Sequence, residues 1–85
     1  MVSFTTVFSD KAAEEFKKLR SDLQERIKKK LFEAQENPFH YFERLAARTD
    51  YKLRVGDYRL IADIYQNIQR IEITKVGHRK NIYNE

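Results

Sequence analysis

The last part of the chain alternates apolar and polar residues in three consecutive segments, and this pattern constrains the fold more than any other feature. The segments are YKLRV, YRLIADIY and RIEITKV, which run over 51–55, 58–65 and 70–76. Alternation with a period of two is typical of strands that bury one face. The connections VGD and QNIQ are short enough for tight turns. We therefore predict an antiparallel meander of three strands.

The first part of the chain predicts one further strand and two helices. β-Branched and aromatic residues over Val2–Phe8 indicate a strand. Ser9 and Asp10 can then cap a helix, and Ser21–Gln24 has the form of a capping box that starts a second helix. The apolar stripe of that second helix consists of Leu23, Ile27 and Leu31. The pattern leaves open whether the two helices form a hairpin or one kinked helix, and the segment 38–50 has no clear period.

These elements together predict an α+β fold in a single domain spanning residues 1–85. We expect one sheet, with the N-terminal strand and the meander in it, and with the helices packed on one face. The other face should then be uncovered. Lys52, Arg54 and Arg59 fall in the register of that open face.

Composition narrows the class of protein. A chain of 85 residues is near the lower limit for a single apolar core, and it contains no cysteine, which excludes disulfides and thiolate chemistry. Two distant histidines and two glycines provide neither metal-ligand spacing nor a phosphate-binding glycine loop, so we expect no metal and no cofactor. No apolar run approaches the roughly 20 residues of a membrane span, and the first residues lack signal-peptide features. We expect a cytoplasmic protein.

The net charge of +4 is unevenly distributed along the chain. Residues 44–59 contain five cations and two acids, and residues 75–80 contain three cations, one histidine and no acid. An uneven positive surface suits a nucleic acid, and it suits an acidic protein partner equally well. Charge alone does not separate the two.

The cations near the ends of the strands suggest a phosphate site. Lys52, Arg59 and Arg79 can converge on one phosphate, with His78 and Tyr83 as nearby proton carriers. Cleavage of RNA by its own 2′-hydroxyl needs a base, cations that stabilise the phosphorane, and an acid for the leaving oxygen. Arginine suits the second task because its planar fork binds two phosphate oxygens.

Structural explanations compete with this hypothesis at each position. Alternating cations on a sheet face are often solvent-facing partners of acids. His78 can be a surface or packing residue, Tyr83 can anchor the C-terminus, and His40 is best interpreted as structural. The run Lys28–Lys30 can be a solvated helix face or a contact to RNA. On pattern alone, enzymatic activity stays open.

The stretches YKLRVGDYRLIADI and ITKVGHRKNIY resemble the core signature of the RelE/ParE superfamily of toxins from toxin–antitoxin systems. The order of strand, two helices and strands agrees with that superfamily along essentially the whole chain. The RelE branch implies a ribosome-dependent endoribonuclease that cleaves mRNA in the A site without a metal ion. It also implies a RelB-like antitoxin partner that wraps around the toxin and inhibits it.

The resemblance assigns roles by position. It implies that Arg59 and Arg79 bind the phosphate in the transition state, that Lys52 acts as a base or stabilises charge, and that Tyr83 orients or deprotonates the cleavage site. The predicted RNA-binding residues are Arg54, His78, Lys80, Lys28 and Lys29. Asp50 stands where some members have a second lysine, and His78 stands where others have lysine.

Two alternatives stay open beside the nuclease. The ParE branch of the superfamily has the same fold and poisons DNA gyrase. A non-catalytic module that binds RNA or protein is the third possibility. The combination of Arg59, Arg79 and Tyr83 favours the nuclease, because gyrase binding does not require a phosphate-binding face with a phenol.

Overall fold

The computed structural model describes residues 3–46 and 48–82, and the side chains up to residue 80 apart from that gap. The elements in chain order are β1 (Thr5–Phe8), α1 (Asp10–Lys17), α2 (Ser21–Ala34), α3 (Pro38–Tyr41), β2 (Glu43–Arg44), β3 (Tyr51–Val55), β4 (Tyr58–Tyr65), β5 (Arg70–His78) and α4 (Arg79–Ile82). This is the predicted α+β fold. In the part of the chain so described, no helix is long and apolar enough to cross a bilayer.

The strands form one sheet in the order β1-β5-β4-β3-β2. The meander β3-β4-β5 is antiparallel, as predicted, and β1 lies parallel to β5 at one edge. The two-residue strand β2 pairs with Tyr51 and Lys52 at the other edge. The sequence prediction did not include β2, because two residues are too few for an alternating pattern.

Helices α1 and α2 pack on one face of the sheet. The predicted stripe of α2 is buried, with Ile27 fully inaccessible to solvent, and it belongs to the same hydrophobic core as the strand residues Leu53 and Leu60. The remaining buried residues of this core are Ala12, Leu23, Leu31, Ala34, Phe42, Val55, Ala62, Ile71, Ile73 and Val76. The helices thus cover the side of the sheet that carries the apolar residues of each strand.

The two helices are separate, and only the first begins as the sequence predicts. The Ser9 side chain accepts a hydrogen bond of 3.1 Å from the Ala12 amide and caps α1. The predicted capping box at Ser21 is wrong, because Arg20 is the N-cap residue and its side chain makes no capping bond. Gln24 instead donates to the carbonyl of Leu19, at 2.9 Å, at the end of the preceding helix.

Two boundaries also differ from the prediction. The first strand begins at Thr5, with Phe4 already outside it; Val2 lies outside the described residues. The last strand continues to His78, two residues beyond the alternating pattern. The segment without a clear period forms α3 and β2, and Pro38 is the first residue of that short helix, where its missing amide costs nothing.

Candidate nucleic-acid interface

The face of the sheet opposite the helices carries a group of cations brought together by strand pairing. Lys52 lies opposite Ile61, and Ile61 lies opposite Lys75 on the next strand. Arg54 lies opposite Arg59. Directly paired residues project their side chains on the same side of a sheet. We call Lys52, Arg54, Arg59 and Lys75 the cationic face.

Lys75 was not among the predicted site residues, and a β-bulge explains why. Ile61 pairs with Lys75 whereas its neighbour Ala62 pairs with Ile73, so Thr74 is an extra residue in β5. The bulge reverses the alternation and turns Lys75 away from the helices. The sequence signal is a change in apolar spacing from two residues to three, between Ile73 and Val76.

Arg59 is buried within this face. Only 3% of the residue is accessible to solvent, and Ile61 beside it is 5% accessible. The expectation of a fully uncovered face is therefore wrong at this point. Helix α4 contacts both β4 and β5, so the chain turns back against the sheet after the last strand. Arg54 stays exposed and lies directly opposite Arg59 on the neighbouring strand.

Lys52 lies at the side of the cationic face nearest the sheet edge. Its Nζ is 3.8 Å from a carboxylate oxygen of Glu43 on β2. The Lys52 side chain is largely covered, whereas that of Glu43 is exposed. The acid can therefore move away into solvent while the lysine stays at the face.

Arg79 is held close to the start of β4. It is the first residue of α4, and its amide donates a hydrogen bond of 2.9 Å to the carbonyl of Asp57. Asp57 belongs to the turn two residues before Arg59. The turn thus fixes the Arg79 backbone at the end of the sheet where Arg59 lies, and the Arg79 side chain is exposed.

His78 is not on the cationic face. It pairs with Tyr58, and Tyr58 pairs with the buried Val55 on the helix side of the sheet. The rings of His78 and Tyr58 make an edge contact with centroids 5.4 Å apart. Lys80 is exposed, and its amide donates to His78 Nδ1 at 3.2 Å. The predicted proton carrier Tyr83 lies outside the described residues.

The two predicted lysines of α2 differ in their surroundings. Lys29 lines a groove of about 330 Å³ between α2 and the β3–β4 turn, together with Arg26 and Arg54. Lys28 is exposed and does not line this groove. The fold therefore connects Lys29, but not Lys28, to the cationic face.

Acidic residues occupy the far end of the same face. Asp63 lies opposite Glu72, and Asp50 precedes β3 beside them. Partial burial raises the pKa of Asp63, and repulsion from Asp50 and Glu72 raises it further. The face is thus divided into a basic end and an acidic end, and only the basic end suits a phosphate.

The arrangement favours the binding of phosphate groups. Lysine and arginine side chains project together from three strands, and each can donate hydrogen bonds to phosphate oxygens. Among the residues that the structure describes, no three histidines, aspartates or glutamates are grouped so that they could hold a metal ion.

Comparison with known proteins connects this geometry to a family. The family model described as the ParE toxin of type II toxin–antitoxin systems, parDE, matches residues 6–83. The chain is also 32% identical over 83 residues to the mRNA interferase toxin RelE of Escherichia coli K12, covering 92% of this chain and 87% of that protein.

Solved structures agree with the sequence matches. A chain of the intact E. coli RelBE toxin–antitoxin complex superposes with a TM-score of 0.80 at 28% identity, covering 89% of this chain and 96% of that one. A chain of the RelBE2 toxin–antitoxin complex from Mycobacterium tuberculosis has a TM-score of 0.82 at 23% identity, covering 92% and 100%, and supports the fold alone. The family match and the shared fold both extend over nearly the whole chain, and the protein therefore belongs to the RelE/ParE superfamily of type II toxin–antitoxin toxins.

Proposed function

We propose that this toxin is a ribosome-dependent endoribonuclease that cleaves mRNA in the A site and so inhibits translation. The observation that carries the proposal is the cationic face, in a chain whose relative in E. coli is named an mRNA interferase. A group of cations projecting from a rigid sheet is suited to an RNA phosphate.

The chemistry requires no covalent bond to the protein. The 2′-oxygen of a ribose attacks the adjacent phosphorus, the bond to the 5′-oxygen breaks, and a 2′,3′-cyclic phosphate and a 5′-hydroxyl result. Arg59 and Arg79 stabilise the additional negative charge of the phosphorane. Lys52 takes the 2′-proton or stabilises charge, and Tyr83 orients the cleavage site or acts in proton transfer. The leaving 5′-oxygen takes up one proton, from Tyr83 or from water, and becomes the 5′-hydroxyl. These steps use side chains and water alone, so the proposed chemistry requires no metal ion bound to the toxin.

Burial of Arg59 sets a condition on its assigned role. Because Arg59 is only 3% exposed, the residues that cover it must move before a phosphate can reach its guanidinium, and the surrounding sheet would then hold the group in a defined orientation. Arg79, which is exposed at the start of α4, can close on the phosphate from the end of the sheet. His78 projects to the other side, so we assign the proton transfers to Lys52 and Tyr83 and not to His78.

We further propose that a RelB-like antitoxin inhibits the toxin. Two of the structural relatives are toxins in complexes with their antitoxins. A mostly acidic segment that lies on the cationic face would neutralise it, and its bulk would also keep the toxin out of the ribosome.

Inhibition of DNA gyrase is the second candidate. One observation favours it: the family model that matches this chain is that of the ParE toxin. Inhibition of gyrase would not need a phosphate-binding site. Loss of mRNA cleavage on removal of the Arg79 side chain would therefore support the nuclease, whereas unchanged inhibition of gyrase supercoiling in the same variant would support the second candidate.

The test is cleavage of mRNA on programmed ribosomes with an empty A site, mapped by primer extension. We expect Arg79→Ala to lower the cleavage rate by about 10²–10³-fold, as for removal of one donor to a transition-state oxyanion. Tyr83→Phe should also reduce the rate. Arg70→Ala is the matched control, because Arg70 is an exposed arginine at the far end of β5 and its loss changes the net charge equally; its rate should stay within about twofold.

Ribosome-free RNA and a gyrase supercoiling reaction accompany these assays. Intact mRNA together with inhibited supercoiling would place the protein in the ParE branch. If Arg79→Ala and Arg70→Ala lower cleavage equally, the cations act through overall charge and the assigned phosphate site is wrong.

A further inference from the structure

A second groove adjoins the cationic face and is not used by the proposed chemistry. It has a volume of about 610 Å³ and lies between α3 and β3. The groove is lined by His40 and Tyr41 of α3, which we call the aromatic wall, by Lys52 and Arg54 of β3, and by Lys30 of α2. The volume is within the range of about 300–1,000 Å³ that is usual for sites of small ligands.

The groove exists because β2 is short. Its two residues pair with Tyr51 and Lys52, and in the described part of the chain no strand continues this pairing alongside Leu53–Val55. The edge of β3 is therefore open beyond Lys52. Alternate backbone amides and carbonyls of such an edge point outwards and can bind a polar ligand.

The aromatic wall is held rigidly. Pro38 and Phe42, at the two ends of α3, are buried, with Phe42 only 4% exposed. The Phe42 amide donates to the Pro38 carbonyl at 2.8 Å, which closes the helical turn. His40 is exposed on this fixed turn, and its ring centroid lies 5.1 Å from that of Tyr41 at an interplanar angle of 80°.

The groove also carries positive charge. Lys30 Nζ lies 5.6 Å from the centroid of the Tyr41 ring, and the exposed Arg54 also lines the groove. The groove thus combines aromatic rings with cations and the polar edge of a strand. A nucleotide needs these three features, since its base stacks on a ring, its edge forms hydrogen bonds and its phosphate binds cations.

We infer that this groove binds one unpaired base of single-stranded RNA, with the exposed His40 ring as the stacking surface, the Tyr41 ring fixed at a steep angle beside it, and Arg54 and Lys52 holding the adjoining phosphate. The inference rests on the proposed function, because it places the base next to the phosphate that the cationic face would bind. It assigns to α3 a role in selecting the RNA sequence that is cut.

An acidic peptide fits the groove less well. Glu43 lies at the groove with an exposed carboxylate, 3.8 Å from Lys52. It would repel an acidic chain, whereas a base is uncharged and can donate an amino group to a carboxylate. The aromatic wall, moreover, offers a ring on which a base can stack but no favourable contact for a carboxylate.

The experiment measures binding of a short RNA to the free protein. The probes are a trinucleotide with 2′-O-methyl groups, which prevent attack, and the same molecule with its central base removed. Wild-type protein should bind the complete trinucleotide at least about fivefold more tightly than the abasic one, the lower end of the range for stacking on an aromatic residue. In His40→Ala this ratio should fall below about two.

Phe32→Ala is the matched control. Phe32 is the most exposed large apolar residue among those described, at 72%, and it does not line the groove. Its removal should leave the affinity ratio unchanged. An equal ratio in wild type and His40→Ala would overturn the inference. So would an acidic peptide that shifts the NMR signals of His40 and Tyr41 while the complete trinucleotide does not.

Cleavage on ribosomes separates this inference from the proposed function. His40→Ala should still cut mRNA, but with a changed distribution of sites. If the wild type cuts and His40→Ala leaves the distribution and the affinity ratio unchanged, the base site is wrong and the nuclease stands. If the wild type does not cut, the proposed function fails, and the affinity ratio still decides whether the groove binds a base.

Discussion

Arg54 and Arg59 place two guanidinium groups opposite each other on adjacent strands, and one of them is buried. Like charges in directly opposed positions destabilise a sheet. A phosphate bound at this position would attract both guanidinium groups and so offset their mutual repulsion. At the other end of this face, partial burial and then repulsion from Asp50 and Glu72 raise the pKa of Asp63.

Replacement of Asp63 by asparagine should stabilise the fold at neutral pH. Because its pKa is raised in the folded protein by burial and by Asp50 and Glu72, the folded state binds the proton more strongly than the unfolded state. The penalty for the charged form is therefore present at neutral pH and decreases as the pH falls through the folded pKa. Urea denaturation should show a gain at pH 7 of about 0.5 kcal/mol or less, since solvent screens this site.

The sign of this effect is checked by its dependence on pH. The advantage of Asp63→Asn over wild type should disappear in acid, where both side chains are neutral. An advantage that persists unchanged at low pH would show that it does not arise from titration of Asp63.

Gly56 is required by the turn between β3 and β4. Its φ is +61°, and an added Cβ would lie 3.3 Å from Nη2 of Arg26. Gly56→Ala should lower the free energy of unfolding by about 1–2 kcal/mol, the cost of a left-handed conformation for an L-residue. Urea denaturation measures the change. The double variant with Arg26→Ala should keep most of this cost, and full recovery in it would attribute the effect to the side-chain contact instead.

Among the elements, the two long helices begin in different ways. Ser9 caps α1 through a hydrogen bond to the Ala12 amide, whereas Ser21 is the first helical residue of α2 and caps nothing. The sequence around Ser21 fits a capping box equally well. The Gln24 side chain of that box instead donates to the carbonyl of Lys17, the last residue of α1, and to that of Leu19 in the connection between the helices. The side chain thus joins the two helices and does not cap its own.

The two serines therefore form a matched pair of substitutions. Ser9→Ala should destabilise the protein by about 1 kcal/mol, because the Ala12 amide loses its partner. Ser21→Ala should change stability by less than about 0.5 kcal/mol. Urea denaturation of both variants tests this, and equal losses would contradict the assigned caps.

At the scale of the whole molecule, a side chain of α1 binds the backbone of β5 beyond the point where β1 ends. β1 pairs with β5 only as far as Ile73, and the next part of β5 lies beside α1. There the Glu15 side chain accepts a hydrogen bond of 2.8 Å from the amide of Val76. This contact joins residues 61 positions apart in the sequence, and it lies just after the bulge that turns Lys75 to the cationic face.

Removal of the Glu15 carboxylate should weaken the end of β5 that leads to Arg79. Glu15→Ala leaves the partly buried Val76 amide without its partner, at a cost of about 1–3 kcal/mol. Glu14→Ala is the control, because Glu14 is exposed on the same helix and its loss should cost about 0.5 kcal/mol or less. Hydrogen exchange should locate the difference at Val76, and similar exchange in both variants would exclude this role for Glu15.

The sequence by itself determined the three strands of the meander, the buried stripe of α2 and, as far as Ile73 in β5, the type of side chain on each sheet face. These features depend on the local period of apolar residues, which can be read directly from the sequence. Tertiary structure decided the parallel pairing of β1 with β5, the bulge at Thr74, the burial of Arg59 and the position of His78 on the helix side. Each of these depends on contacts between residues far apart in the sequence, and a local period contains no information about which distant segments meet.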